Sequence, residues 1–256
     1  MSLRNNKPDE IDGKYCDIVR FIWYARYAEV EMIQRACLPT SDLNYTWRYL
    51  NKLEEWGYLH ARQHPFTNRK AYFLGTVGRH WVVKQNLASK NVSERVSGTK
   101  GSFDDLRHDL TVASIYTAFV CQTRTANLTL DWKNARQLEG DKLGIQPDGW
   151  VSVGTARASV AAYVEFTDYL PGKREMQAKL LRYSVLYAHD GPSQILWFTT
   201  SQNRMDFILR QTVNWEHWEL VYLSLIEDVN KSLNGAVWTW CGRSRQRWVA
   251  VAEADK

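Results

Sequence analysis

Three segments at the start of the chain carry apolar residues at helical spacing. The first predicts a helix over residues 16–27, and the second predicts a helix over 29–38. Pro39 ends the second helix, because proline disfavours helical geometry in the residue before it. Asp42 offers a side-chain oxygen to the first amides of the third segment, which predicts a helix over 43–56.

Alternating apolar and polar residues follow the third predicted helix. Residues 58–62 and 70–74 alternate in this way, and the polar turn between them predicts a β-hairpin. Residues 85–102 are rich in Ser, Lys, Asn and Gly, which predicts a linker. The expected parts of the chain are a tail at 1–14, a domain of helices and a hairpin at 15–84, the linker at 85–102 and a second domain at 103–256.

The second part of the chain predicts a mixed sheet flanked by helices. Two segments have helical spacing, and the apolar segments between and after them are short enough for strands. Strands and helices in this order indicate a mixed α/β or α+β domain. The predicted elements are helices at 106–120 and 172–188 and strands at 128–132, 149–153, 158–166 and 194–200.

Tryptophans and arginines alternate near the C-terminus. Trp238, Trp240 and Trp248 stand among Arg243, Arg245 and Arg247, and a turn is predicted over 242–246. We interpret this segment as a closing β-hairpin packed through its tryptophans. Stacking of the tryptophans on single-stranded bases is the alternative.

The composition indicates a globular protein. The 256 residues, of which 45% are hydrophobic, are enough for two cores. No apolar run approaches the roughly eighteen residues of a membrane helix, and the N-terminus lacks an apolar signal core. The four cysteines are widely scattered, which argues against a disulfide framework or structural zinc. We therefore expect a cytoplasmic protein with no membrane contact.

The positive charge of the chain is concentrated in its first part. Residues 1–100 carry 16 Lys or Arg against 10 Asp or Glu, whereas residues 101–256 carry 17 against 18. Within residues 42–100 the count is 10 against 4. A local excess of this kind attracts partners that carry phosphate groups.

The third predicted helix and the hairpin after it carry polar and basic side chains. Three helices followed by a basic-tipped hairpin, with the phrase at 47–59, resemble a winged-helix DNA-binding domain. The resemblance implies that the third helix enters the major groove of duplex DNA, with Arg48 placed to reach a base edge, and that the hairpin lies along phosphates. A helical module that binds protein is the alternative. The residues expected to contact DNA are Asn44, Tyr45, Arg48, Lys52, Arg62, Arg69 and Lys70.

Two short apolar segments of the second domain each carry one acidic residue. Asp148 begins one predicted strand, and Glu165 lies in the next. Lys179 and Tyr183 follow one turn apart on a predicted helix. These residues can gather around one point, where Mg²⁺ and the lysine would stabilise charge on a phosphate under attack. A solvated sheet edge is the alternative, because acidic residues near strand ends are common.

This arrangement resembles the restriction-endonuclease-like, or PD-(D/E)XK, fold. The resemblance implies that Asp148 and Glu165 bind the metal. The fold usually keeps a lysine two residues after the second acid, and this chain has Thr167 there. Lys179 would replace that lysine; without a substitute, the domain has kept the fold and lost the reaction. The candidate catalytic residues are Lys179, Glu139 and Tyr183.

Short motifs in both predicted domains resemble the replication-relaxation family of plasmid and mobile-element proteins. The likeness spans about residues 15–200. It implies a DNA-binding protein acting in plasmid replication or transfer, and it does not by itself imply nuclease activity. The motifs are the winged-helix phrase, 106–110, Glu139, 147–150, 164–166 and 179–183.

We therefore expect a protein that binds double-stranded DNA in plasmid or mobile-element replication or transfer. One alternative is an active DNA endonuclease with Mg²⁺ as its cofactor. The other is a non-enzymatic transcription regulator or assembly adaptor. A homodimer and protein partners of a replication or transfer complex are further expectations.

Overall fold

The computed structural model describes residues 10–64, 67–90, 103–138 and 144–229, together with two short strands at 238–240 and 245–246. The chain divides into two compact units, 1–117 and 118–256. Most of the predicted linker, residues 91–102, lies outside the described residues. The division between the units falls within one helix, α5, which spans Phe103–Thr125.

The first unit contains helices and a small antiparallel sheet. Its strands lie in the order β1-β3-β2, and the β2/β3 pair runs in register from Leu59↔Leu74 to Gln63↔Lys70. The predicted order of three helices followed by a hairpin is present. The elements are α1 (Gly13–Ala25), β1 (Ala28–Glu29), α2 (Val30–Cys37), α3 (Leu43–Glu55), β2 (Leu59–Gln63), β3 (Lys70–Leu74), α4 (Thr76–Lys84) and the first part of α5.

Helix α3 begins and ends where its sequence dictates. The Asp42 carboxylate accepts a hydrogen bond from the backbone N–H of Tyr45 at 2.6 Å, which satisfies an amide that has no partner within the helix. After the helix, Gly57 adopts a φ of 74°, a left-handed conformation that favours glycine. Leu50 and Leu53 are fully buried, so the opposite face of α3 is left to solvent.

The second unit contains a mixed sheet with helices between its strands. The strands lie in the order β10-β9-β8-β7-β6-β5-β4, in which β6/β7 and β7/β8 are parallel and the other neighbours are antiparallel. The elements after α5 are β4 (Thr129–Asn134), α6 (Ala135–Leu138), β5 (Gly149–Gly154), β6 (Ser159–Thr167), α7 (Lys173–Asp190), β7 (Gln194–Thr199), α8 (Gln202–Thr212), a 3₁₀ turn (Trp218–Leu220), β8 (Val221–Leu225), α9 (Ile226–Val229), β9 (Trp238–Trp240) and β10 (Arg245–Gln246).

The core of the second unit forms between α7, α8 and the central strands. Each parallel pair needs a crossover, and α7 and α8 supply the two crossovers. Residues 195–199 of β7 are all buried, as expected for a central strand covered on both faces. The buried cluster that joins these elements includes Met176, Leu180, Leu186, Ile195, Trp197, Ile208, Val221 and Leu223.

The sheet flanked by helices confirms the fold class expected from the sequence. Each predicted helix and strand has a counterpart, and the closing hairpin is present as the antiparallel pair β9/β10. Most of its predicted turn, residues 241–244, lies outside the described residues. Helices α4, α6, α8 and α9 and strands β1 and β8 were not predicted. Gly78 lies inside α4, and a Cβ at this position would lie 2.3 Å from the backbone oxygen of Tyr58, so only glycine fits there.

No helix within the described residues combines the length and the apolar character needed to cross a membrane. Helix α5, the longest of the described helices at 23 residues, carries Asp105, Arg107 and Asp109 in its first turns.

Candidate functional site

Asp148 and Glu165 face each other across two antiparallel strands. The register pairs Gly149 with Val164, and continuing it by one residue places Asp148 opposite Glu165. Residues directly opposite in an antiparallel pair project from the same face of the sheet. Asp148 is fixed in this place because its carboxylate Oδ2 accepts a hydrogen bond from the backbone N–H of Phe166 at 2.7 Å. The sequence-predicted carboxylate pair is therefore brought together.

The Glu165 carboxylate is buried and accepts two side-chain hydrogen bonds. Its exposed fraction is 0%. The Lys179 Nζ lies 2.5 Å from Oε2, and the Tyr183 hydroxyl donates to Oε1 at 2.6 Å. Both donors come from α7, on which they lie one turn apart as predicted. We call Asp148, Glu165, Lys179 and Tyr183 the acidic cluster.

Strand β7 supports the lysine. The Lys179 Nζ lies 5.1 Å from the centroid of the Trp197 ring, a cation–π contact. The indole N–H of Trp197 donates to the Thr167 hydroxyl at 2.9 Å. Thr167 stands where the PD-(D/E)XK pattern usually has its lysine. Trp197 therefore makes two contacts: it donates a hydrogen bond to Thr167, and its ring carries the Lys179 ammonium. The sequence did not indicate this role of Trp197.

Burial and neighbouring charges leave the pKa values of Glu165, Lys179 and Tyr183 above their usual values. Burial raises the pKa of the Glu165 carboxyl to about 7; the attraction of Lys179 lowers it and the nearby Asp148 raises it. Burial also lowers the pKa of Lys179, but the attraction of Glu165 and Asp148 outweighs it and leaves this pKa above its usual value. Burial raises the pKa of Tyr183 well above the usual value, so its hydroxyl stays a donor.

A divalent cation does not fit the acidic cluster as it is arranged. Within the described residues, His, Cys, Asp and Glu form no group of three or more that could hold a metal ion. Both oxygens of Glu165 already accept hydrogen bonds, and one donor is a cation. Glu139, one of the three candidate catalytic residues, lies outside the described residues.

The residues predicted to contact DNA lie on α3 and on the β2/β3 hairpin. Asn44, Tyr45, Arg48 and Lys52 are exposed on α3. The hairpin residues Arg69 and Lys70 are exposed, whereas Arg62 is half-buried. Tyr45 is also engaged with its neighbours, since its hydroxyl lies 3.1 Å from that of Tyr49 and the Lys14 ammonium lies 5.3 Å from the centroid of its ring.

Three of these cations form surface ion pairs. The charged groups of Lys52 and Glu55 are 2.9 Å apart, those of Arg69 and Glu29 are 3.0 Å apart, and those of Lys70 and Glu54 are 3.7 Å apart. The side chains of the three cations remain about half exposed, so water screens each pair. Arg48 makes no ion pair with any residue in the described part of the chain.

Comparison with known proteins identifies the family. A family model described as replication-relaxation matches residues 19–191, well over half of the 256 residues. The chain belongs to the replication-relaxation family. No curated protein matches the chain.

The replication-relaxation chain is also similar to solved structures, at low sequence identity. It is similar to restriction endonuclease FokI at 13% identity and a TM-score of 0.31, with 86% of this chain and 42% of the FokI chain covered. For FokI bound to DNA the identity is 12% and the TM-score 0.28, with 85% and 43% covered. The chain thus spans less than half the length of FokI, and scores of this size do not establish a common fold.

Residues 106–110, which resemble a motif of the family, have a packing role in the first unit. Leu106 and Leu110 of α5 pack in a buried cluster with Tyr27, Ala71 and Phe73. Between the two leucines, Asp109 accepts a hydrogen bond from Arg26 at 2.7 Å, and both side chains are largely buried. Arg26 has a φ of 66°, a strained backbone conformation for a residue other than glycine. The sequence showed the motif but did not indicate Arg26 as its partner.

Proposed function

We propose that this replication-relaxation protein binds double-stranded DNA in plasmid or mobile-element replication or transfer. The observation that carries the proposal is the set of exposed cations on α3 and the hairpin, in the part of the chain that has the basic excess. In this proposal the first unit is a winged helix. Helix α3 enters the major groove, and the hairpin lies along the phosphates.

The surface ion pairs support this role because they are easily exchanged. An exposed pair typically stabilises a protein by less than about 1 kcal/mol, so DNA phosphates can take the place of Glu55, Glu29 or Glu54 at little cost. Arg48 lies on the same exposed face as Lys52, one turn earlier. Its planar guanidinium can donate two hydrogen bonds to the edge of a guanine.

The test is a titration of labelled duplex DNA with the full chain. The double variant Arg48→Glu and Lys52→Glu should bind at least about tenfold more weakly, because each substitution replaces an attraction to DNA with a repulsion. The matched control is Arg20→Glu with Lys84→Glu, which changes the net charge equally at two exposed ion-paired positions outside α3 and the hairpin. Equal loss of affinity in both double variants would show that only net charge matters, and this would contradict the proposal.

An active endonuclease is the second candidate, and the convergence of Asp148, Glu165 and Lys179 favours it. It predicts that supercoiled plasmid is nicked with Mg²⁺ or Mn²⁺, and that Asp148→Asn abolishes both metal binding and nicking.

A non-enzymatic regulator or adaptor is the third candidate, favoured by the two hydrogen bonds that already occupy Glu165. It predicts no nicking, and duplex affinity that Asp148→Asn leaves intact. Of these last two candidates we favour the non-enzymatic one, in which the first unit binds DNA as proposed above and the second unit is a scaffold.

The expected partners beyond DNA stay predictions. Sedimentation velocity on the full chain measures the homodimer directly. Co-purification with the other components of a replication or transfer complex, with the Arg48→Glu and Lys52→Glu variant as a control for bridging by DNA, tests the protein partners.

A further inference from the structure

The acidic cluster already contains a cation. The Lys179 Nζ is 2.5 Å from Glu165 Oε2, and although burial lowers the pKa of this ammonium, the attraction of the Glu165 and Asp148 carboxylates raises it above its usual value. Carboxylate oxygens bind Mg²⁺ at about 2.0–2.1 Å, so a metal ligated by this oxygen would need the space that the ammonium takes. A metal and the lysine thus compete for one position.

We propose that the Lys179 ammonium occupies the cation position of the Asp148–Glu165 pair, so that the intact chain excludes divalent cations and loss of this ammonium opens a Mg²⁺ or Mn²⁺ site. The proposal concerns the second unit alone and does not depend on DNA binding by the first.

Three elements hold the lysine in this position. The backbone of Lys179 belongs to α7, which is packed on the sheet through its neighbours Met176, Leu180 and Tyr183. Its ammonium lies on the ring of Trp197 in β7, and it pairs with Glu165 in β6. Movement of the ammonium to make room for a metal would break both the ion pair and the cation–π contact. The loss of both contacts explains why a divalent cation does not displace the lysine.

The ligands for a metal would persist after the lysine is removed. Tyr183 still donates to Glu165 Oε1, which leaves Oε2 without a donor and keeps the carboxylate in place. Asp148 is held independently by the backbone N–H of Phe166. Mg²⁺ usually keeps several waters and binds through one or two carboxylates, so Asp148 and Glu165 supply the protein ligands that one ion needs, although no third His, Cys, Asp or Glu joins them in the described residues.

The experiment is the titration of Mn²⁺ into the full chain, followed by calorimetry and by the electron paramagnetic resonance signal of free Mn²⁺. Lys179→Met, which is similar in length and uncharged, should bind one Mn²⁺ at least about tenfold more tightly than the unaltered chain, because a competing charge has been removed. Mn²⁺ should also raise the thermal midpoint of this variant and not that of the unaltered chain.

Two variants complete the design. Arg182→Met removes a charge from an exposed position of the same helix and should behave as the unaltered chain. Asp148→Asn added to Lys179→Met should abolish the new site. If Lys179→Met does not fold, Lys179→Gln keeps a hydrogen-bond donor without the charge and is titrated instead.

Two results would overturn the inference. One is a Mn²⁺ site in the unaltered chain as tight as that of Lys179→Met, which is also what the endonuclease candidate predicts. The other is a folded Lys179→Met or Lys179→Gln variant with no gain in affinity. Duplex binding by the unaltered chain is unaffected by either result, so failure here is distinguishable from failure of the DNA-binding proposal.

Discussion

The two units hold lysine–carboxylate pairs of similar length in opposite surroundings. On α3, Lys52 and Glu55 are 2.9 Å apart, and their side chains are 52% and 41% exposed. In the acidic cluster, Lys179 and Glu165 are 2.5 Å apart, with exposed fractions of 30% and 0%. Water screens the first pair and replaces either partner easily, whereas in the second pair water reaches the lysine in part and does not reach the carboxylate. The first pair can therefore yield to a ligand's phosphate, whereas the second acts as part of the fold.

The largest expected difference between the two pairs is in stability. Lys179→Met should lower the free energy of unfolding by about 3 kcal/mol at pH 8, because it leaves a buried carboxylate without its cation. Lys52→Met should lower it by less than about 1 kcal/mol. Urea unfolding of the full chain, followed by circular dichroism, measures both. Similar losses for the two variants would mean that the burial of Glu165 does not distinguish the pairs.

The buried Glu165 carboxyl should make the stability of the chain depend on pH. The pKa of Glu165 rises from 4.5 to about 7 on folding, so the folded chain holds an extra proton between these values. The stability contributed by this group is fully present below pH 4.5 and falls as the pH rises through about 7, by at most about 3 kcal/mol. Unfolding free energies at pH 5 and pH 8 should therefore differ less in Glu165→Gln than in the unaltered chain. If the unfolding free energy depended on pH in the same way in both chains, the raised pKa of Glu165 would be contradicted.

A smaller effect is expected at the surface pair. Glu55→Gln removes the carboxylate that competes with DNA for Lys52, and the affinity for duplex DNA should rise by about threefold. Glu216→Gln, an exposed carboxylate of the second unit, is the matched control and should change the affinity less. An equal rise in both variants would indicate a general charge effect and would argue against a contact through α3.

The sequence predicted the helices and strands that carry the exposed cations of the first unit and the acidic cluster of the second. This was possible because strand alternation and helical spacing are local properties. It placed Asp148 and Glu165 on neighbouring strands and Lys179 and Tyr183 on one face of α7. It could not show that Lys179 and Tyr183 would donate to the two oxygens of one carboxylate, because this depends on how α7 packs on the sheet.

Long-range partners were likewise beyond the sequence. Trp197 lies thirty positions after Thr167, and Arg26 lies 83 positions before Asp109, so neither partner has a local signal. Helix α8 was not predicted for a different reason. Its buried residues include one apolar side chain, that of Ile208, so the helical spacing of apolar residues is too weak to predict the helix.

The salt dependence of duplex affinity is the most direct test of this difference between the two pairs, because it counts the DNA phosphates that protein cations neutralise with release of counterions. Lys52→Met and Lys179→Met remove one positive charge each and are measured beside the unaltered chain in EDTA, under conditions where all three are folded. Lys52→Met should reduce the slope of log affinity against log salt concentration by about 0.9, and Lys179→Met should leave it unchanged. A slope reduced by Lys179→Met and unchanged in Lys52→Met would place the DNA on the second unit and contradict the account.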